Sequence, residues 1–271
     1  MATSAPHLSM LKMMRKDTGV ENLESDPAKT VATAEKRYNA SSMRVALTAL
    51  RKEYPDNKFF IAEMKRRYKG WKESDQSQDP TEKQIEKYIS WDNIIKFRDE
   101  DYDKMNPTER LLLALYTYIP PVRIDYTPMK VVTRKPTKFE DGTNYLVLTK
   151  SPYFVFHAYK THALYGDKTV KIPKKLEMEI RLYLDAHPGS VYLFEEGGKP
   201  WSEQRLSLTF RRIFQKYQNM DTGVSMVRHA YATKFHKGQR PLADIKKTAE
   251  SMLHGPLQSM SYRFIALENE I

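Results

Sequence analysis

Five residues in this chain of 271 could handle a phosphate: Arg123, Lys160, Arg228, His254 and Tyr262. They sit in "PPVRIDY", "HAYKTHALYGDK", "SMVRHAYATKF" and "LHGPLQSMSYRFI". Taken singly, each has an ordinary explanation. An Arg after a helix caps carbonyls, a Lys at a hairpin is solvated, an Arg on a helix pairs with an acid, and most of the 17 tyrosines pack or stack. Taken together they match what phosphodiester transesterification needs. Two guanidiniums can clamp a phosphate and stabilise the charge of the transition state. A Lys can protonate the leaving 5′ oxygen, a His can hydrogen-bond the phosphate, and a Tyr phenol can attack phosphorus to form a covalent phosphotyrosine.

Other chemistries find less support. The chain has no Gly-rich phosphate loop, no HExxH and no Ser in a GxSxG turn, and with no Cys it has neither a disulfide framework nor a thiolate nucleophile. His157 and His162 are five apart across a strand edge, poor geometry for a metal pair. The reading therefore calls for no metal and no cofactor, because the protein's own cations serve the phosphate.

The formal net charge of +11 favours a polyanionic partner. The longest apolar run, around Leu111 to Tyr116, is too short to span a bilayer, so no membrane is expected. The N-terminus shows no apolar block before a cleavage site, which fits an intracellular protein associated with DNA. The charge is uneven: residues 34–72 carry 11 Lys/Arg against 4 Asp/Glu, and residues 73–110 carry 11 Asp/Glu against 6 Lys/Arg. A nucleic-acid-facing unit followed by a different segment is the reading, although a charge run is often only a solvated face.

The elements that must position these groups follow from periodicity. Residues 1–30 lack a clear period and are expected as a flexible arm, with a short helix near Leu8–Met14. Met43, Leu47, Leu50 and Tyr54 share one helical face, as do Phe60, Met64, Tyr68 and Trp71 on a second helix. Arg44, Arg51, Lys65, Arg66, Lys69 and Lys72 on these helices are DNA-contact candidates, and residues 31–78 form a helical unit. A polar linker spans 79–92, around Asp79-Pro80. Ser90 is a plausible N-cap for "WDNIIKFRDE", and Glu109 to Ile119 reads as a buried helix. Segments 144–149, 153–159 and 168–173 read as strands. Basic helices follow, one carrying Arg211 and Arg212, further candidates for contacting DNA. Residues 93–271 thus form a mostly helical domain around a small antiparallel sheet, an α+β fold.

The order Arg123, Lys160, Arg228, His254, Tyr262 resembles that of the tyrosine recombinases, or phage-type integrases. "SMVRHAYATKF" resembles the family's "HxLRHTFAT", and "MLHGPLQSMSY" resembles its "LGHSSxxTTxxY". The hairpin "YKT…YG…V.IP..L" is similar to that of viral and mobile-element members. The resemblance covers roughly 95–265, and the helical unit before it occupies the place of the family's core-binding domain. It implies a catalytic set of those five residues, double-stranded DNA as substrate, a homotetramer assembled on DNA, and cleavage through a 3′-phosphotyrosine without metal or ATP. Two departures stand out. Ser225 occupies the family's first His of HxxR, a position that handles the nucleophile's proton or contacts the phosphate, and Ser is a poor general base near pH 7. The acid expected third after Arg123 is Asp125, second after it. His229 is turned about 100° from Arg228 on a helix and reads as structural. Type IB topoisomerases share the chemistry and do not keep the His at the position of Ser225. A non-catalytic DNA-binding protein on the same scaffold is the third reading.

Overall fold

Apolar stripes on four helices meet in the first 77 residues of the computed structural model, which describes residues 5–238 and 240–270. The helices are α1 (Ala5–Thr18), α2 (Pro27–Arg37), α3 (Ala40–Glu53) and α4 (Lys58–Ser77). Asp26 and Asn39 start α2 and α3 by accepting from the backbone N–H groups of Lys29 and Ser42. Met43, Leu47 and Leu50 of α3 are buried against Leu11 and Met14 of α1 and Phe60 of α4. The expected N-terminal arm is therefore a correction: α1 and Leu23 belong to this core. The apolar residues of α1 are covered by α3 and α2. The second stripe also departs from expectation, because Tyr68 is 55% exposed while Phe60 is fully buried.

The second unit, Gln78–Ile271, opens with α5 (Glu82–Ile85), α6 (Trp91–Glu100) and α7 (Pro107–Leu115). Part of the expected linker is structured: α5 lies within it, and Tyr88 and Ile89 pack on the core of this unit. Ser90 caps α6, accepting from Asn93 N–H at 3.3 Å. Asn106 and Glu109 form a capping box on α7, whose residues Leu111 to Leu115 are all buried.

A four-stranded sheet follows, of β1 (Met129–Val132), β2 (Asn144–Val147), β3 (Tyr153–Phe156) and, after the short α8 (His162–Tyr165), β4 (Lys168–Lys171). Their spatial order is their chain order. β2–β3 and β3–β4 are antiparallel, in registers that include Tyr145↔Val155 and Phe154↔Val170. β1 runs parallel to β2, so the sheet is mixed rather than purely antiparallel. Next come α9 (Lys174–Asp185), a two-stranded hairpin of β5 (Glu195–Glu196) and β6 (Lys199–Pro200), α10 (Glu203–Gln218), α11 (Val224–His236), α12 (Leu242–Ser251) and α13 (Pro256–Met260). The core joins α7, Leu146 and Phe154 of the sheet, Ile180 of α9, Phe210 of α10 and Val227 of α11. Among the described residues, no helix is long and apolar enough to cross a membrane.

The link from α12 to α13 holds a backbone feature that bears on the site. Leu253 has φ +59° and is 1% exposed. The left-handed region costs an L-residue roughly 1–2 kcal/mol, and burying a Leu side chain contributes about 1.5–3 kcal/mol. Burial wins, so a Leu stands where a glycine would be relaxed. Leu253→Ala is expected to lower stability by about 2–4 kcal/mol. Leu253→Gly is expected to cost no more than Leu253→Ala, because glycine relieves the backbone. Urea denaturation checks this, and a glycine variant clearly less stable than the alanine variant would contradict it.

Candidate active site

The carbonyl of Pro121 accepts from Nη1 of Arg228 at 2.8 Å, which joins the loop after α7 to α11. Tyr116 Oη donates to the Arg123 carbonyl at 2.7 Å, and Tyr126 Oη donates to the Leu115 carbonyl at 3.1 Å. Asp125 Oδ2 accepts from the Arg123 N–H at 3.0 Å. These bonds fix the backbone that presents Arg123. Asn144, 2% exposed, then brackets this loop to the end of β3. Its amide nitrogen donates to the carbonyls of Asp125 and Ala158 at 2.8 and 3.0 Å, and its oxygen accepts from the N–H groups of His157 and Ala158 at 2.9 and 2.8 Å. Two residues further along is Lys160, exposed at the turn. Thr161 Oγ1 donates to the Leu253 carbonyl at 2.8 Å, tying that turn to the residue before His254.

Arg123, Lys160, Arg228 and Tyr262 thereby line one open pocket of about 710 Å³, together with Asp125, Tyr159, Ser207, Glu203 and Ser225. Ser225 lies in the first turn of α11 and is exposed. His254 does not line the pocket, but its ring stacks against that of Tyr262, with centroids 5.7 Å apart and planes 19° apart. All five residues singled out as a phosphate-handling set are thus in one locality.

The electrostatics of this locality are unusual. Arg228 is 1% exposed, and among the described residues its Nε and Nη2 have no hydrogen-bond partner. Burial lowers its pKa, although an arginine stays charged at neutral pH. Its guanidinium carbon lies 4.7 Å from the centre of the Tyr262 ring. Burial would raise the Tyr262 phenol, but the charges of Arg228 and Arg123 outweigh it and hold the phenol below the ordinary tyrosine value. Burial also raises the Asp125 carboxyl, against the pull of Arg228 and Arg123.

His254 is 2% exposed, and burial, reinforced by Arg228, pushes its imidazole down to about 4. Nδ1 faces the Gly255 carbonyl at 3.2 Å, which assigns the proton to Nδ1. Nε2 is then a bare lone pair, buried without a partner among the described residues. His229 holds the backbone of Tyr262: its Nδ1 donates to the Tyr262 carbonyl at 2.8 Å, and its ring stacks on Phe264 at 4.1 Å. Burial pushes His229 to about 4 as well. Sequence reasoning missed Asn144 and Thr161. An Asn at the start of a strand and a Thr beside a Lys give no signal until their partners are in place.

The DNA-contact candidates are placed as follows. Arg44 and Arg51 on α3, and Lys65, Arg66, Lys69 and Lys72 on α4, are exposed. Arg66 is engaged with Glu63 through two bonds of 2.9 and 2.8 Å, and Arg44 lies over the Trp71 ring at 5.7 Å. Arg212 on α10 is exposed, whereas Arg211 is engaged by Asp221, which also takes Lys87 at 2.6 Å.

No family description and no curated protein matches the chain. One solved structure, described as the crystal structure of XerA recombinase, aligns with 96% of this chain and 85% of its own, at 13% identity and a TM-score of 0.47.

His254, which is buried, and His229, which is partly buried, make stability depend on pH. In the folded chain both stay neutral down to about pH 4, while in the unfolded chain they take protons below about 6.5. Between these values the unfolded state binds more protons. The contribution is therefore fully present above about pH 6.5 and is lost as pH falls toward 4. Its size is on the order of 3 kcal/mol per histidine. The urea midpoint is expected to drop between pH 7 and 4.5, and to drop less in His229→Gln. An equal drop in the variant would contradict the assignment for His229.

Proposed function

We propose that this chain is a DNA-cleaving and rejoining enzyme of the tyrosine recombinase kind. The observation that carries the reading is the pocket itself. It combines a phenol, two guanidiniums and a lysine, with Arg228 buried against the Tyr262 phenol and short of acceptors among the described residues. A phosphodiester supplies the missing acceptors. Buried cationic donors without partners are costly, and a phosphate oxygen satisfies them with charge-assisted bonds.

In the proposed step Tyr262 Oη attacks phosphorus and forms a tyrosyl–phosphate ester with the 3′ side of the strand. The bond from phosphorus to the 5′ oxygen breaks, and Lys160 gives that oxygen a proton. Arg123 and Arg228 stabilise the phosphoryl charge as it builds. The bare Nε2 of His254 gains a reason to bind a proton once an anion sits beside it, and then donates to the phosphate. The phenol proton has no histidine to receive it at Ser225. It leaves to water in the open pocket, and the two arginines ease that loss by holding the phenol's pKa down. Attack of a 5′-OH on the ester reverses the step, so the bond energy is kept and no ATP is needed.

Under this reading the substrate is double-stranded DNA, and strand exchange between two duplexes uses four protomers. Integration by a viral or mobile element is the narrower form of the proposal, resting on the resemblance of the hairpin around Lys160. A type IB topoisomerase is the second reading, favoured by Ser225. It would relax supercoiled plasmid without joining strands of different duplexes.

A nicked duplex that loses a short 5′-OH fragment after cleavage should trap a covalent protein–DNA adduct, even in EDTA. Tyr262→Phe should abolish it, and Ser225→His should raise the rate of its formation. An adduct of undiminished yield with Tyr262→Phe would remove Tyr262 as the nucleophile. No adduct with the wild-type chain on any cognate duplex would favour the non-catalytic DNA-binding reading.

A further inference from the structure

The turn that carries Lys160 holds a second cluster of chemically competent side chains. His157 follows β3, His162 opens α8 and Asp167 precedes β4. Nδ1 of His157 lies 2.8 Å from Asp167 Oδ1, and Nε2 of His162 lies 2.9 Å from the same oxygen. The three atoms all fall within 4.8 Å of one another. The spacing of five residues suggests poor geometry for a metal pair, but the chain reverses at α8 and brings the two rings to 4.9 Å.

We propose that His157, His162 and Asp167 form a binding site for a divalent transition metal ion of the zinc type, with water completing a four-coordinate shell. Two imidazoles and one carboxylate suit such an ion, whereas magnesium and calcium prefer all-oxygen shells. Ligand bonds of about 2.0–2.2 Å around a tetrahedral ion place neighbouring ligand atoms roughly 3.3–3.5 Å apart. The two N···O contacts are shorter than that, so an ion replaces the hydrogen bonds by opening each contact by about half an ångström. Rotation of the partly exposed side chains is enough for this. Their exposures are 25%, 35% and 44% for His157, His162 and Asp167, which also leaves the ion a way in.

The rings are held in orientation by aromatic groups outside the cluster. His157 stacks on Phe139 at 4.9 Å with planes 23° apart, and His162 meets the edge of Tyr159 at 5.6 Å. Tyr159 is itself fixed by donating to the Gly166 carbonyl at 2.6 Å. A bound ion cross-links residues 157 and 167 through three side chains and closes the loop in which Lys160 sits. Its role is to position that loop; Tyr159 and Lys160 of the loop line the pocket but the three ligands do not, so the ion supplies none of the phosphate chemistry and an adduct can still form in EDTA.

The test uses the full chain without DNA, so its outcome does not depend on the activity of Tyr262. Zinc uptake is measured by competition with a chromophoric chelator, and cobalt(II) is added separately to report coordination by its visible absorption. No cysteine competes for either ion. Expected are one equivalent of zinc, a cobalt spectrum of the intense tetrahedral type, and slower amide exchange over 157–167 with zinc. Asp167→Ala and His162→Ala should each weaken zinc binding at least about tenfold. His162 and Asp167 are both partly exposed, so these variants should fold, which their circular dichroism checks. Absence of stoichiometric zinc uptake by the wild-type chain, or uptake unchanged in both variants, would overturn the proposal.

Discussion

A buried, incompletely satisfied positive charge organises the second unit. Arg228 is 1% exposed, gives one nitrogen to the Pro121 carbonyl, and keeps two nitrogens without acceptors among the described residues. Withdrawing a guanidinium from water is costly unless its donors are met, and the Pro121 carbonyl and the Tyr262 phenol meet that need in part. The bond to Pro121 explains why α11 and the loop after α7 are joined at this place. The charge also reaches Tyr262, His254 and Asp125, and each has a pKa displaced in part by it. A hydrophobic residue of similar size would pack there with less penalty, but it would remove one of the pocket's cations, beside Arg123 and Lys160.

The other site residues are held by bonds between distant parts of the chain. Asn144 connects the Arg123 loop to the strand end before Lys160. Thr161 connects the Lys160 turn to Leu253, and His229 holds the carbonyl of Tyr262 itself. Each bond is worth only about 1 kcal/mol net. Under the proposed function their importance is geometric, because transesterification depends on placing nucleophile, cations and leaving-group acid within a fraction of an ångström.

Much of this was legible in the sequence wherever a local rule governs. The stripe of Met43, Leu47 and Leu50, the Ser90 cap, the buried run from Leu111, and strands β2 to β4 follow from period and capping. The site residues were legible as an ordered set of types and by resemblance, although neither supplied distances. What stayed hidden was decided by non-local packing. The helix at Ala5–Thr18 is covered by α3, and β1 is a strand because it lies beside β2. His157 and His162 meet because a four-residue helix turns the hairpin back on itself. Leu253 adopts a left-handed backbone that its side chain disfavours, since the core rewards the leucine more than the turn penalises it.

Ser225 shows how far the chemistry can be reasoned from charge. Under the proposed function Ser225 supplies no general base, yet the phenol faces two guanidiniums in a partly buried pocket. Lowering the phenol's pKa substitutes for part of a base, because less work is needed to remove its proton at neutral pH. The central claim is that the oxygen of Tyr262 becomes bonded to phosphorus. The most direct measurement is peptide mapping by mass spectrometry of the nuclease-trimmed, protease-digested adduct. The account predicts a nucleotide 3′-phosphate attached to the peptide containing Tyr262, with fragment ions locating it on that side chain. Attachment to any other residue of the same digest would contradict it.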